Sequence, residues 1–248
     1  MGGLPPPVPL RELLAAVVSG TVVEDGPRVR LDGDLASTPA YIRDFPWSGN
    51  RADAVRAGRR VTAEVVSVDE AKGRIWLSLA ATEHPELWAF LKKLRAGDVL
   101  TGRVADVRSF GVFVTLDEGP PHPTYPGVGF VSIPELSWTR FEQVTDVVQV
   151  GQRVRGEVLA FDTYNGEARL SLRALQPDPF QMFAERAEVG QRLSGTVTKV
   201  VPFGVFVRVA DGMEGLVREA AGRPGDIVQV VIVGLERERR RLLLAPGD

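Results

Sequence analysis

The pentapeptide Phe-Gly-Val-Phe-Val occurs twice, at 110–114 and 203–207, an offset of 93 (203 − 110). Each copy follows a Gly-x-x-x-x-Gly-x-Val segment, at 97–104 and 190–197, with the same offset. Self-similarity at a fixed offset marks an internal repeat, and each repeat must fold as a small unit of its own. The motif has an internal tension. Two Phe three apart would point to opposite faces of a regular strand. A Gly between them permits a bulge or kink that turns both rings the same way. Rings brought to one face of a small sheet are either core or a platform on which bases stack.

A weaker first copy opens at Ser19-Gly20-Thr21-Val22. All three repeats close alike, at Val68-Asp69 to Arg74-Ile75-Trp76-Leu77-Ser78, Phe161-Asp162 to Ala168-Arg169-Leu170-Ser171, and Leu235-Glu236 to Arg241-Leu242-Leu243-Leu244. An apolar strand, a charged turn and a second apolar strand read as a hairpin. The middle repeat is longest because of the Pro-rich loop 117–127. Short helices are expected between repeats. His84 to Leu94 has Pro85 at the first helical position, and Asp178 to Arg186 has an Asp cap followed by Pro179. A third helix is expected over Leu10 to Val18, after an extended stretch from Leu4 to Pro9. Units of this kind, with about five strands each, close into barrels to remove sheet edges. The expected class is therefore all-β: three tandem five-stranded OB-fold barrels with short helical linkers. The expected segments are 1–14, barrel 15–81, linker 82–94, barrel 95–175, linker 176–187 and barrel 188–248.

Composition removes several chemistries. There is no Cys, so disulfides, thiolate nucleophiles and Cys-held metals are excluded. The only His residues are His84 and His122, which makes a His triad or metal cluster improbable, and no cofactor or metal is expected. No paired carboxylates or nucleophile–base motif stand out, so an enzyme is not expected. No long apolar run predicts a membrane span, and the start lacks the basic and apolar regions of a secretory signal. Pro6 stands where myristoylation needs Ser or Thr. A cytoplasmic protein is expected. The net charge of −2 argues against a strongly electrostatic nucleic-acid binder overall, although local patches can differ.

The ordered set of Gly-x-x-x-x-Gly-x-Val, Phe-Gly-Val-Phe-Val, Gly129 to Ser137 (or Glu214 to Glu219), then an acidic turn and Leu-Ser-Leu, resembles the S1 RNA-binding domain. The likeness covers 95–175 and 186–246 well and 15–81 weakly. It implies a five-stranded OB-fold barrel that binds single-stranded RNA. Residues 15–81 keep the opening and closing segments, but Asp25 to Leu31 stands where the aromatic pair would be. That is similar to the N-terminal domains of the large ribosomal protein for which the family is named, which serve docking more than RNA capture.

The family's RNA site uses two aromatics, a His, an Asp and an Arg. By resemblance, repeat 2 offers Phe110, Phe113 and Asp162, with Ser132 at the His position and Glu167 at the Arg position. Repeat 3 offers Phe203, Phe206 and Arg241, with Arg218 at the His position and Glu236 at the Asp position. Repeat 2 thus lacks two polar contacts, one by charge reversal, while repeat 3 gains a cation. Residues 186–248 hold ten Arg or Lys against eight Asp or Glu, whereas 95–175 hold eight against ten. With Lys199, Arg208 and Arg218 near its Phe pair, repeat 3 is expected to bind more strongly.

Plainer readings stand beside these. Phe is often core, Asp162 and Glu236 can be turn residues, and 236–241 can be a solvated hairpin tip. Trp47, Trp88 and Trp138 are expected in cores or packing seams; Trp76 is the one expected to be exposed or wedged at an interface. The sequence supports a non-catalytic, single-stranded RNA (mRNA or rRNA) binder of low sequence preference. Residues 1–81 are expected to dock on the small ribosomal subunit or another protein. The alternative is a protein-interaction scaffold whose barrels have lost RNA affinity.

Overall fold

Alternate residues of Arg28–Leu31, Ala40–Asp44 and Arg74–Ser78 are buried, beginning with Val29, Ala40 and Ile75, and all of them but Asp44 are apolar. That alternation places one side of each strand inside a barrel and the other in water. A computed structural model describes residues 9–247. The first barrel consists of β1 (Val17–Val22), β2 (Arg28–Leu31), β3 (Ala40–Asp44), β4 (Arg60–Asp69) and β5 (Arg74–Ser78). The second consists of β6 (Val99–Arg108), β7 (Gly111–Leu116), β8 (Gly129–Ser132), β9 (Arg153–Asp162) and β10 (Glu167–Ser171). The third consists of β11 (Arg192–Val201), β12 (Gly204–Ala210), β13 (Met213–Arg218), β14 (Ile227–Glu236) and β15 (Arg241–Pro246).

All three close with one strand order, first–second–third–fifth–fourth, and in each the third and fifth strands run parallel. This is the OB-type, all-β architecture expected from the repeats. Closure leaves no unpaired edge. The first core holds Val22, Val65, Ile75 and Leu77 at 2% exposure or less. The third holds Val197, Val207, Val217 and Ile232, equally buried. Each such side chain contributes about 1.5–3 kcal/mol relative to exposure.

The linker helices are α2 (Ala80–Glu83), α3 (Pro85–Lys93) and α4 (Pro179–Arg186), in addition to a single turn α1 (Arg51–Ala54). Asp178 caps α4, accepting from Phe180 N at 2.8 Å and Gln181 N at 3.4 Å. The helix expected over Leu10 to Val18 does not form. Leu10–Leu13 is one 3₁₀ turn, Ala15 has φ 66°, and Val17 already belongs to β1. Pairing of β1 with β4 outweighs local helix preference, as tertiary context commonly does. The extended stretch expected at 4–9 lies outside the described residues except for Pro9, whose φ of −55° and ψ of 127° are extended.

Contacts divide the described residues into two compact units, one running to Ser132 and including Val148–Leu170, the other made of Ile133–Val147 and the chain from Ser171 on. The first unit contains the first barrel joined to strands of the second. At that joint Trp47 Nε1 donates to Thr163 O at 3.0 Å, and Trp88 meets Phe161 edge-on at 5.5 Å. Arg51 donates to Tyr164 O at 2.7 Å, and its guanidinium lies 3.6 Å from the Tyr164 ring centre. In the second unit Trp138 lies between the guanidinium groups of Arg173, at 4.4 Å, and Arg240, at 4.2 Å. Arg240 also pairs with Asp178, which ties the hairpin tip to the cap of α4.

Candidate nucleic-acid interface

The tension inside Phe-Gly-Val-Phe-Val is resolved by a turn. Phe110 and Phe203 lie in the turns before β7 and β12, and only Phe113 and Phe206 are in the strands. The expected bulge is also displaced. The register shifts fall in β6 between Val104 and Asp106 and in β11 between Val197 and Lys199, across from Phe113 and Phe206. The Gly is needed for a different reason, because the next strand passes too close for a side chain. A Cβ on Gly111 would lie 2.5 Å from Val131 O, and one on Gly204 (φ +149°) would lie 2.1 Å from Val217 O.

In the second barrel the rings pack on one another. Phe110 is 58% exposed and stacks on Phe130 at 6.0 Å, but Phe113 is only 4% exposed. Tyr125 covers Phe113 at 5.2 Å and Phe130 flanks it at 5.2 Å. The expectation of an open stacking ring therefore fails for Phe113. Its strand faces the Pro-rich loop, which places Tyr125 over it. Phe130 and Tyr125 were not among the sequence candidates. The alternation of Gly129–Ser132 puts Phe130 on the face of Ser132, and that was the available signal.

Asp162 forms the polar end of this site. Its carboxylate accepts from Tyr164 N at 2.9 Å, Asn165 N at 3.3 Å and Arg169 Nε at 3.2 Å. Burial works against its charged form, but the Arg169 and backbone hydrogen bonds outweigh it and hold the carboxyl below its usual range. Glu167, 3% exposed, stands where the family has Arg; burial first, then the Asp162 charge, raises its pKa against the lowering effect of Arg169. Arg169, two positions on, supplies the guanidinium instead, 4.8 Å from the Phe130 ring centre. Charge reversal at 167 is thus compensated locally, at the expense of a cation already held by two carboxylates.

The third barrel is arranged differently. Phe203 is 60% exposed and Phe206 half-buried, with no aromatic ring packed on either among the described residues. Lys199 sits directly opposite Phe206 in the β11–β12 register, and Arg218 opposite Gly204 in β12–β13. Arg241 faces Glu236 across the last hairpin, where Glu236 pairs with Arg239 at 4.0 Å. Lys199, Arg208, Arg218 and Arg241 are exposed and make no ion pair among the described residues. One Oε of Glu236 is buried without a hydrogen-bond partner. Barrel 3 therefore places Lys199, Phe206 and Arg218 on one side, with the exposed Phe203 in the turn before β12 and Glu236 and Arg241 at the hairpin end. The outward residues Leu216 and Leu243 continue the row from Phe206 across β13 and β15.

The S1 RNA binding domain family matches residues 93–173 and 186–220. Small ribosomal subunit protein bS1 of Mycobacterium leprae is 37% identical over 205 residues, which are 76% of this chain and 41% of that protein. The same protein of Staphylococcus haemolyticus is 31% identical over 246 residues, 92% of this chain and 58% of that one. The chain therefore spans about half the length of these relatives. The solved structure of GSP13 from Bacillus subtilis is 28% identical and covers 38% of this chain and 73% of its own, with a TM-score of 0.28. The second and third barrels are S1-type domains, and the chain that carries them is a homologue of small ribosomal subunit protein bS1.

Proposed function

We propose that this protein is a non-catalytic, single-stranded RNA-binding protein of low sequence preference that works in the cytoplasm in association with the small ribosomal subunit and its mRNA or rRNA. The observation that carries this reading is the open Phe203–Phe206 pair set among unpaired cations. Stacking on such rings tolerates any base, and the cations draw the phosphates. Barrel 3 is the main RNA-holding unit, using Phe203, Phe206, Lys199, Arg218 and Arg241, with Glu236 at the hairpin. Barrel 2 contributes the outer face of Phe110 and the Asp162–Arg169 pair, with Phe113 as buried support. Residues 1–81 include the barrel that docks on barrel 2, and a ribosomal or other protein partner is assigned to that part of the chain. No helix among the described residues is long and apolar enough to cross a membrane.

A second reading, a protein-interaction scaffold, has one observation in its favour: barrel 2 has packed its own rings together and lined its hairpin with Glu167. A salt titration of binding to a labelled oligouridylate separates the two. The RNA reading expects affinity that falls steadily with salt, and absence of binding at low salt selects the scaffold.

A further inference from the structure

The first barrel lacks the Phe-Gly-Val-Phe motif, yet strand register shows aromatic residues on the corresponding row. In barrel 3 the row runs Lys199–Phe206–Leu216–Leu243 across β11, β12, β13 and β15. In barrel 2 it runs Asp106–Phe113–Phe130–Arg169 across the matching strands. In barrel 1 the same register gives Arg28–Tyr41–Trp76, across β2, β3 and β5. The aromatic pair has moved from one strand to two neighbouring ones. The Tyr41 and Trp76 ring centres are 5.6 Å apart at 44°, and both residues are half-buried with one side toward solvent.

The rest of the face is cationic. The outward residues of β2, β3 and β5 are Arg28 and Arg30, Tyr41 and Arg43, and Arg74 and Trp76. Every one is Arg or aromatic, and none is aliphatic or acidic. The inward residues, from Val29 to Leu77, form the core. Arg74 lies 5.1 Å from the Trp76 ring centre and pairs with Asp69 at 3.0 Å. Arg43 pairs with Asp44 at 3.1 Å, and Arg28 reaches Glu24 only at 3.9 Å between two exposed side chains. Arg30 makes no ion pair among the described residues. Only the Arg28–Glu24 pair is exposed on both sides, and such a pair is worth little and yields readily to a phosphate, whereas Arg43 is held by the buried Asp44 and Arg74 by the part-buried Asp69.

We propose that the outer β2–β3–β5 face of barrel 1 is a further binding surface for a single strand of RNA, with bases stacking on Tyr41 and Trp76 and phosphates on Arg28 and Arg30, flanked by Arg74. Charge complementarity selects this occupant, since the exposed Arg28 and Arg30 on a row without acidic strand residues suit a polyanion, and paired rings in register suit its bases. The proposal rests on the reading of the protein as an RNA binder but assigns a site to the barrel reserved there for docking.

The test uses the full chain, fluorescence anisotropy and a labelled oligouridylate long enough to span several barrels. Tyr41→Ala with Trp76→Ala is expected to weaken binding about tenfold or more. The exposed pair Arg28→Gln with Arg30→Gln, which leaves the core untouched, is expected to lower the salt slope by about 1.4, from ~0.7 per phosphate contact. An abasic oligomer of equal length should be insensitive to the aromatic change. Affinity and salt slope within twofold of the unaltered chain for both variants would overturn the site, while weakening by Phe203→Ala with Phe206→Ala would leave the RNA reading standing. Equal losses on the abasic strand or on polyglutamate would also overturn it, in favour of an acidic protein partner. No binding of RNA by the unaltered chain at low salt removes both readings.

Discussion

Trp47 rests on Gly166 so closely that a Cβ there would lie 2.5 Å from Trp47 Cδ2, and Gly166 has a φ of +74°. One residue belongs to the first barrel's return loop and the other to the β9–β10 turn of the second. The contact therefore makes the second barrel's hairpin a seat for the first. Trp47 is 6% exposed and stacks on His84 at 6.0 Å. Trp47→Ala should cost this unit about 3–5 kcal/mol. Gly166→Ala should loosen the joint through both clash and backbone strain. Limited proteolysis and small-angle scattering report the separation; a variant as compact and resistant as the parent would refute the seat.

His122 gives that joint a pH dependence. Its Nε2 donates to Asn165 O at 2.8 Å, while Nδ1 accepts from Tyr125 N at 2.9 Å and Thr124 N at 3.1 Å. Both nitrogens are satisfied only in the neutral ring. Burial first, then the neighbouring His84, pushes the pKa below 6.5 against the opposing Asn165 hydrogen bond. A base with a depressed folded pKa contributes stability that is fully present above its unfolded value, and loses it as pH falls through the folded one. Melting temperature should therefore fall on acidification below about pH 6.5. His122→Asn should flatten that part of the curve. Glu167, with a raised pKa, acts in the opposite direction, so the difference between parent and variant is the quantity to compare.

The four motif Phe should divide by barrel. Phe203→Ala with Phe206→Ala should weaken RNA binding by about 2–5 kcal/mol in sum with small change in stability. Phe110→Ala should have a smaller effect, because one side of its ring is already taken by Phe130. Phe113→Ala should instead lower stability by about 3–5 kcal/mol. Paired anisotropy and urea unfolding measurements separate the two kinds of loss, and equal RNA effects in both barrels would contradict the difference in packing.

Gly204→Ala should destabilise the third barrel by more than about 1–3 kcal/mol, since φ of +149° strains any side chain and Val217 O occupies its place. Loss of RNA binding with parent-like unfolding in this variant would show that the glycine serves the ligand and not the fold.

The repeats, the barrel class and the two linker helices were legible in the sequence. Alternation, turn residues and capping are local, and local signals survive in one dimension. Tertiary structure alone decided which rings are open. Phe113 and Phe206 occupy the same motif position, but only Phe113 lies beneath a loop tyrosine. Arg169 replaces the charge reversed at Glu167 because two residues along a strand return to the same face. Tyr41 and Trp76, thirty-five positions apart (76 − 41), become neighbours only because β3 and β5 run side by side. Burial and adjacency are sums over distant segments, so the pattern specified each barrel while the closed sheet determined which side chains remain free to meet a ligand.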